Sequence, residues 1–160
     1  MNRRSPMFIA QAREEYGFNP VVEPVPGDWS DVGAIAKALG CDAEQITTAT
    51  PYVVSHDIIL TITGGTYGAD VDVIATQFDV DPGQVSLATE RQANDRLGWE
   101  GDTVPPFCHD RPVATLIDQR LLEYERVWAA AGTSSNAFAI DPEELTRLTN
   151  ATVCPVGREP

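Results

Sequence analysis

The polar groups best suited to chemistry are gathered in Gly98–Asp118, which reads G-W-E-G-D-T-V-P-P-F-C-H-D-R-P-V-A-T-L-I-D. Asp102, Thr103, Cys108, His109 and Asp110 surround the apolar run Val104-Pro105-Pro106-Phe107. The two prolines fix φ, withdraw two backbone donors and push the residue before each into extended geometry, so Phe107 is presented on a stiff backbone. Cys108 and His109 are a nucleophile and a base by type, but neighbours in an extended segment point to opposite faces, which argues against that pair. The plain reading is a rigid surface loop whose Phe107 plugs the core. Rigid loops on β-rich scaffolds are also where sites are built.

Other polar positions carry weaker signals. His56-Asp57 falls between two apolar runs and reads as a turn. Gly64-Gly65-Thr66-Tyr67-Gly68 is glycine-rich, but lacks the spacing that cradles a phosphate against a helix, and is also taken as a turn. His56, His109 and the three cysteines lack the paired spacing of a zinc site, so neither a metal nor another cofactor is expected.

The elements that must position the loop follow from periodicity. Helices are expected over Ser5–Tyr16, closed by Gly17; from Ser30 to Leu39, with Trp29, Val32, Ile35, Ala36 and Leu39 near one face; around Val71–Phe78; and over Thr89–Leu97. Arg91 and Arg96 on the last of these are separated by about 140° and form no basic stripe. Asp141-Pro142-Glu143-Glu144 is a strong helix start, with a cap, a proline in the first turn and acids behind it. Strands are expected at Asn19–Val25 (an edge, for its two prolines), Thr50–Ser55, Asp57–Thr63, Val85–Leu87, Val113–Ile117 ending at Asp118, Val127–Ala130, Asn136–Ile140 and Ala151–Val156. Strands and helices alternate irregularly, which predicts an α+β fold: one domain over 1–160, a mixed β-sheet surrounded by helices.

Bulk properties narrow the function. The 160 residues contain 42% hydrophobic residues, which suits a globular domain. No apolar run approaches a membrane span, and the start of the chain is no signal peptide. Cys41, Cys108 and Cys154 are odd in number and widely spaced, which fits a reducing cytoplasm. The net charge of −13, with Lys37 the only lysine, disfavours non-specific binding to nucleic acid, DNA and RNA alike, and to anionic membranes at ordinary ionic strength; DNA and membranes are not expected as partners. The same composition suits work in high salt, where repulsion is screened.

The runs G-D-T-V-P-P-F-C-H, L-I-D and V-W-A-A-A-G-T-S-S-N-A-F-A-I-D-P-E-E-L-T-R-L-T-N-A resemble the YbaK-like family, the prolyl-tRNA-synthetase-associated editing domains. Members show a Gly-Gly-Val-Pro-Pro-Phe-Gly-His loop, an Ile-Asp strand end, an Ala-Ala-Gly turn and a closing Leu-x-x-Leu-Thr-x-Ala. The likeness runs from about Ala34 to Val156, and is tightest in its second half. It implies the same α+β fold and hydrolysis of the ester that joins a wrong amino acid to tRNA. Aminoacyl-tRNA is then the partner, together with a synthetase in some settings. No synthetase signature is present in the chain, so editing would be in trans.

Two departures from the family pattern bear on chemistry. Members read Gln-Ile-Val-Lys-Ser-Leu, with the lysine holding the terminal nucleotide or carbonyl; this chain reads Gln45-Ile46-Thr47-Thr48-Ala49-Thr50. Thr48 therefore supplies a hydroxyl where the family has a charge. Asp102-Thr103 replaces Gly-Gly, narrowing the backbone's approach to substrate and adding a repelling carboxylate, and Cys108 replaces the later glycine. The resemblance assigns Thr48, His109 and Asp118 as catalytic candidates, and Asp102, Thr103, Val104, Pro105, Pro106 and Phe107 as the substrate-binding loop. It leaves three readings: a deacylase with altered chemistry, an inactive relative that binds tRNA, a synthetase or a small aminoacyl ligand, and a hydrolase of another small ester or amide.

Overall fold

The computed structural model describes residues 4–26, 31–65, 68–99, 104–133 and 135–158. In chain order the elements are α1 (Arg4–Tyr16), β1 (Val22–Pro24), α2 (Val32–Leu39), β2 (Thr47–Val54), β3 (Asp57–Gly64), α3 (Val71–Phe78), β4 (Val85–Leu87), α4 (Glu90–Leu97), β5 (Ala114–Asp118), β6 (Val127–Ala130), β7 (Asn136–Ile140), α5 (Pro142–Thr149) and β8 (Thr152–Cys154). Short 3₁₀ turns cover Ala43–Gln45, Pro82–Gln84 and Gln119–Glu123.

Five strands form a mixed sheet in the order β4-β2-β3-β5-β8. The β2 strand pairs antiparallel with β3 and β4, whereas β5 runs parallel to both β3 and β8. The remaining strands form an antiparallel sheet, β1-β7-β6. A bridge between Ile46 and Trp128 joins the two sheets, and the Thr47 hydroxyl donates to the Trp128 carbonyl at 2.9 Å. The molecule is thus a single α+β domain, as expected, with a second small sheet beside the mixed one.

Strand alternation sorts the core into two faces. Ala49, Val53, Ile58, Leu60, Ile62 and Ile117 face α1, α4 and the segment Val104–Cys108. Tyr52, Val54, Ile59, Leu116 and Cys154 face α3. A third cluster seats α2, through Val32, Ile35 and Ala36, on Ile46, Trp128, Ala130 and Ala137.

Local chemistry explains the boundaries. Ser55 and His56 both take positive φ (52° and 110°), as the two-residue turn between β2 and β3 requires. Asp31 caps α2 by accepting from the Ala34 amide at 3.1 Å, Thr89 and Gln92 form a capping box on α4, and Asp141 accepts from the Glu143 amide at 2.8 Å ahead of Pro142. Trp29 and Ser30, expected to open the second helix, lie outside the described residues. Several boundaries differ from the sequence reading, among them Ser55, which lies in the turn and not in β2, and the last strand, which covers Thr152–Cys154 rather than Ala151–Val156. The β2 strand begins at Thr47, because the hydroxyl bond to Trp128 and the full pairing with β3 extend it past its apolar part. The expected Asn19–Val25 strand is confined to Val22–Pro24 by its prolines. Gln119–Glu123, to which the sequence reading assigned no element, is a 3₁₀ turn started by Asp118, which accepts from the Arg120 amide at 3.5 Å.

Candidate functional site

The Val104–His109 segment is built into the core rather than laid over it. Val104, Pro105, Pro106, Phe107 and Cys108 are buried. The Phe107 ring meets those of Tyr16, Phe8 and Phe138 at centroid distances of 5.0, 5.4 and 5.9 Å. These contacts make it the core plug that its position on rigid backbone suggests. His109 Nε2 donates to the Pro105 carbonyl at 2.7 Å. A carbonyl only accepts, so the proton sits on Nε2 and Nδ1 is left as an acceptor. Burial lowers the His109 pKa, which keeps the ring neutral near pH 7. The ring therefore closes the Pro105–His109 turn.

Cys108 adopts φ 70° and is not part of a strand. The Trp99 indole N–H donates to its carbonyl at 2.8 Å, and its amide donates to the Tyr16 hydroxyl at 3.4 Å. Burial, with a smaller contribution from Glu15, pushes the thiol up to about 12. A nucleophilic thiolate is therefore scarce at neutral pH.

Asp118 ends β5 with only 1% of its side chain exposed, and its carboxylate is committed locally. Arg120 Nε donates to it at 3.0 Å, while Arg120 Nη2 also reaches the Arg158 carbonyl at 3.3 Å. A Cβ on Gly157 would collide with the Asp118 carboxylate, so only glycine lets this segment pass over it. Ala69 bridges to Gly157 and the Arg158 amide donates to the Gly68 carbonyl at 2.7 Å. Asp118 thus anchors residues 157–158 across the end of the sheet.

Thr48 lies on β2 opposite Thr63 and is half-buried. Register and alternation put it on the same sheet face as Asp118. Thr61 is opposite Leu116, Asp118 follows two residues on, and Cys154 is opposite Asp118. The row Thr48, Thr63, Asp118, Cys154 crosses four strands on the α3 side, while Val104, Phe107 and Cys108 pack on the other side. Asp102 and Thr103 lie outside the described residues.

Two clefts flank β5. One of about 580 Å³ opens at the carboxyl ends of β3 and β5, where Gly64, Asp118, Arg120, Leu121 and Tyr124 meet Asp42, Glu44 and Glu123. The other, of about 610 Å³, opens at the beginning of β5, where Pro106, Phe107 and His109 meet Tyr16, Arg111 and the last turn of α5. Asp118 and His109 are therefore at opposite ends of one strand, and Thr48 is in the wall of neither cleft. The sequence reading did not single out Tyr16, Trp99, Arg120 or Gly157. Of these only Arg120 carried a local signal, an Asp-x-Arg step at a strand end.

Comparison with known proteins assigns the family. The profile of the aminoacyl-tRNA editing domain matches residues 27–148, a span that includes Thr48 and the whole Gly98–Asp118 stretch. A protein described as a "putative trans-editing enzyme for prolyl tRNA synthetase" superposes with a TM-score of 0.87 at 27% identity, covering 97% of this chain and 98% of its own. A scaffold protein from work on the computational grafting of linear epitopes superposes with a TM-score of 0.86, also at 27% identity, covering 97% of each chain. A hypothetical protein at 17% identity shares the fold, with a TM-score of 0.82 over 94% of this chain and 99% of its own. No curated protein matches the sequence. With its profile match running through most of the chain and its fold reproduced from end to end, the chain belongs to the aminoacyl-tRNA editing domain family, and its fold is the YbaK-like one.

Proposed function

We propose that this protein hydrolyses the ester of a mischarged aminoacyl-tRNA, acting in trans in the cytoplasm as one functional unit over 1–160, through a site whose chemistry is weakened. The observation that carries this reading is the mutual coverage with the trans-editing relative, 97% of one chain and 98% of the other.

In the reaction, water adds to the ester carbonyl, the carbonyl oxygen takes negative charge, and the C–O bond to the ribose breaks. Free amino acid and a tRNA with its terminal hydroxyl restored are released. Catalysis needs donors at the developing oxyanion, and losing one such donor typically costs ~10²–10³ in rate. Thr48 offers a neutral hydroxyl in place of the family lysine, and Asp102 adds a carboxylate to a loop that should approach an anionic substrate. Asp118 and His109 act as positioning residues in this reading. The first is held by Arg120 and the second by the Pro105 carbonyl.

The test is amino acid release from a panel of mischarged tRNAs by the wild type and by Thr48→Lys/Asp102→Gly/Thr103→Gly. The expected outcome is slow release by the wild type and a gain of at least about tenfold in the triple variant, well inside the range for one restored donor. Wild-type turnover equal to the triple variant's would remove the weakened-site reading. Inactivity of both on every tRNA, with tRNA or a synthetase still bound, would favour the inactive binding relative.

A further inference from the structure

The cleft at the beginning of β5 shares Phe107 and His109 with the editing loop, but its charged lining is one that the editing reading does not use. Its walls include the last turns of α1 and α5, so the negative ends of two helix dipoles lie at one cavity. Glu15 and Asp110 add two carboxylates to the lining, against the single cation Arg111. His109 lines the same space with its Nε2 proton committed to Pro105, which leaves Nδ1 as its acceptor. Tyr16 and Phe107, packed ring to ring at 5.0 Å, supply an aromatic wall. Acceptors, negative dipole ends and aromatic rings are the groups that together favour a cation over an anion or a neutral molecule, here at a cleft whose charged lining residues Glu15, Asp110 and Arg111 are exposed.

We propose that this cleft is a binding site for a small organic cation, an alkylammonium ion, separate from the row that holds Thr48 and Asp118. Its volume of about 610 Å³ suits a small molecule. The ammonium head is held by Glu15, Asp110 and the dipole ends, and the alkyl chain lies along the rings. Because His109 and Phe107 belong to the Val104–His109 segment, an occupant of this cleft touches the back of the editing loop without entering the sheet face that carries Thr48.

The experiment is a ligand-observed NMR titration of the full chain at fixed ionic strength with butylammonium, butyramide and butyrate. Saturable binding is expected for the ammonium, weaker binding for the amide and none for the carboxylate. Glu15→Gln and Asp110→Asn should each weaken butylammonium roughly two- to fivefold, the scale of a partly exposed charge pair, and Arg111→Gln should tighten it by a similar factor. Glu143→Gln, at the far end of α5, should change nothing. If Asp110→Asn fails to fold, because its carboxylate packs on Gly98, the Glu15 and Arg111 variants still decide the matter. Equal binding of butylammonium and butyramide, or no saturation, overturns the proposal. An equal loss on Glu143→Gln would trace the binding to general attraction by the acidic surface, and would also overturn it.

Discussion

Cys108 occupies backbone that glycine adopts freely, and members of the family place a glycine there. At φ 70° a side chain with Cβ is strained by roughly 1–2 kcal/mol. Here the strain is held by fixed partners on both sides of the residue, the Trp99 indole on its carbonyl and the Tyr16 hydroxyl on its amide. The usual ranking of small residues should therefore invert. Cys108→Ala keeps the strain and loses the buried sulfur, whereas Cys108→Gly loses the sulfur but relaxes the backbone. Urea denaturation is expected to show Gly more stable than Ala by about 0.5–1 kcal/mol. Ala more stable than Gly would mean that packing around the side chain outweighs the backbone. Neither variant should lower amino acid release in the deacylation assay, because the thiol, pushed up to about 12, is not the nucleophile.

At the scale of elements, the junction between β3 and the Ala43–Gln45 turn is a tight test of packing against backbone. A Cβ on Gly64 would overlap the Glu44 carbonyl and stand 2.8 Å from a Leu121 methyl. The carbonyl is backbone and cannot swing aside. Gly64→Ala should therefore cost about 1–3 kcal/mol, as overpacking does. Gly83→Ala, where an added Cβ meets nothing within 4 Å, should change stability by less than about 0.5 kcal/mol. A thermal or urea series on the two variants checks the contrast; equal effects would show that the Glu44 turn yields. The sequence announced the parts of this architecture whose causes are local. The Asp141-Pro142 helix start, a turn at His56 and the stiff loop with Phe107 as core plug were legible for that reason, although the turn takes in Ser55 rather than Asp57. Side-by-side placement was not. That β5 lies parallel to β3, that β1 joins β7 in a second sheet, and that Tyr16 and Trp99 hold Cys108 all depend on partners far away in sequence. The family resemblance assigns site residues by motif order, and motif order does not say which face of a strand a residue occupies. Thr48 and Asp118 share a face with α3, whereas the Val104–Cys108 segment packs on the other.

For the whole molecule the deciding quantity is charge. The net −13 is spread over exposed positions on most elements, and the ion pairs found among the described residues are Arg120–Asp118 and Arg147–Glu144, the latter largely exposed. Like-charge repulsion is thus opposed mainly by solvent ions, and screening should favour the folded state. Raising KCl from dilute buffer to molar concentration is expected to stabilise the fold by about 1 kcal/mol, or roughly 2–4 °C in Tm. Affinity for tRNA should stay flat or improve over the same range, since few phosphates can be neutralised and repulsion dominates in dilute buffer. Stability that falls with salt, or tRNA binding that drops steeply, would contradict this picture. The strand order has a separate consequence, for biosynthesis. The β2–β3 hairpin and β4, which adds to the outer edge of β2, are complete early, but β3 waits for β5, β5 for β8, and β1 for β7. As the chain leaves the ribosome, the apolar face carrying Ile58, Leu60 and Ile62 and the open edge of β3 are present before α4, the Val104–Cys108 segment and β5, which cover them together with the earlier α1. The nascent protein therefore passes through a stage with an unpaired strand and a partly uncovered core, a stage that ends only when nearly the whole domain has emerged.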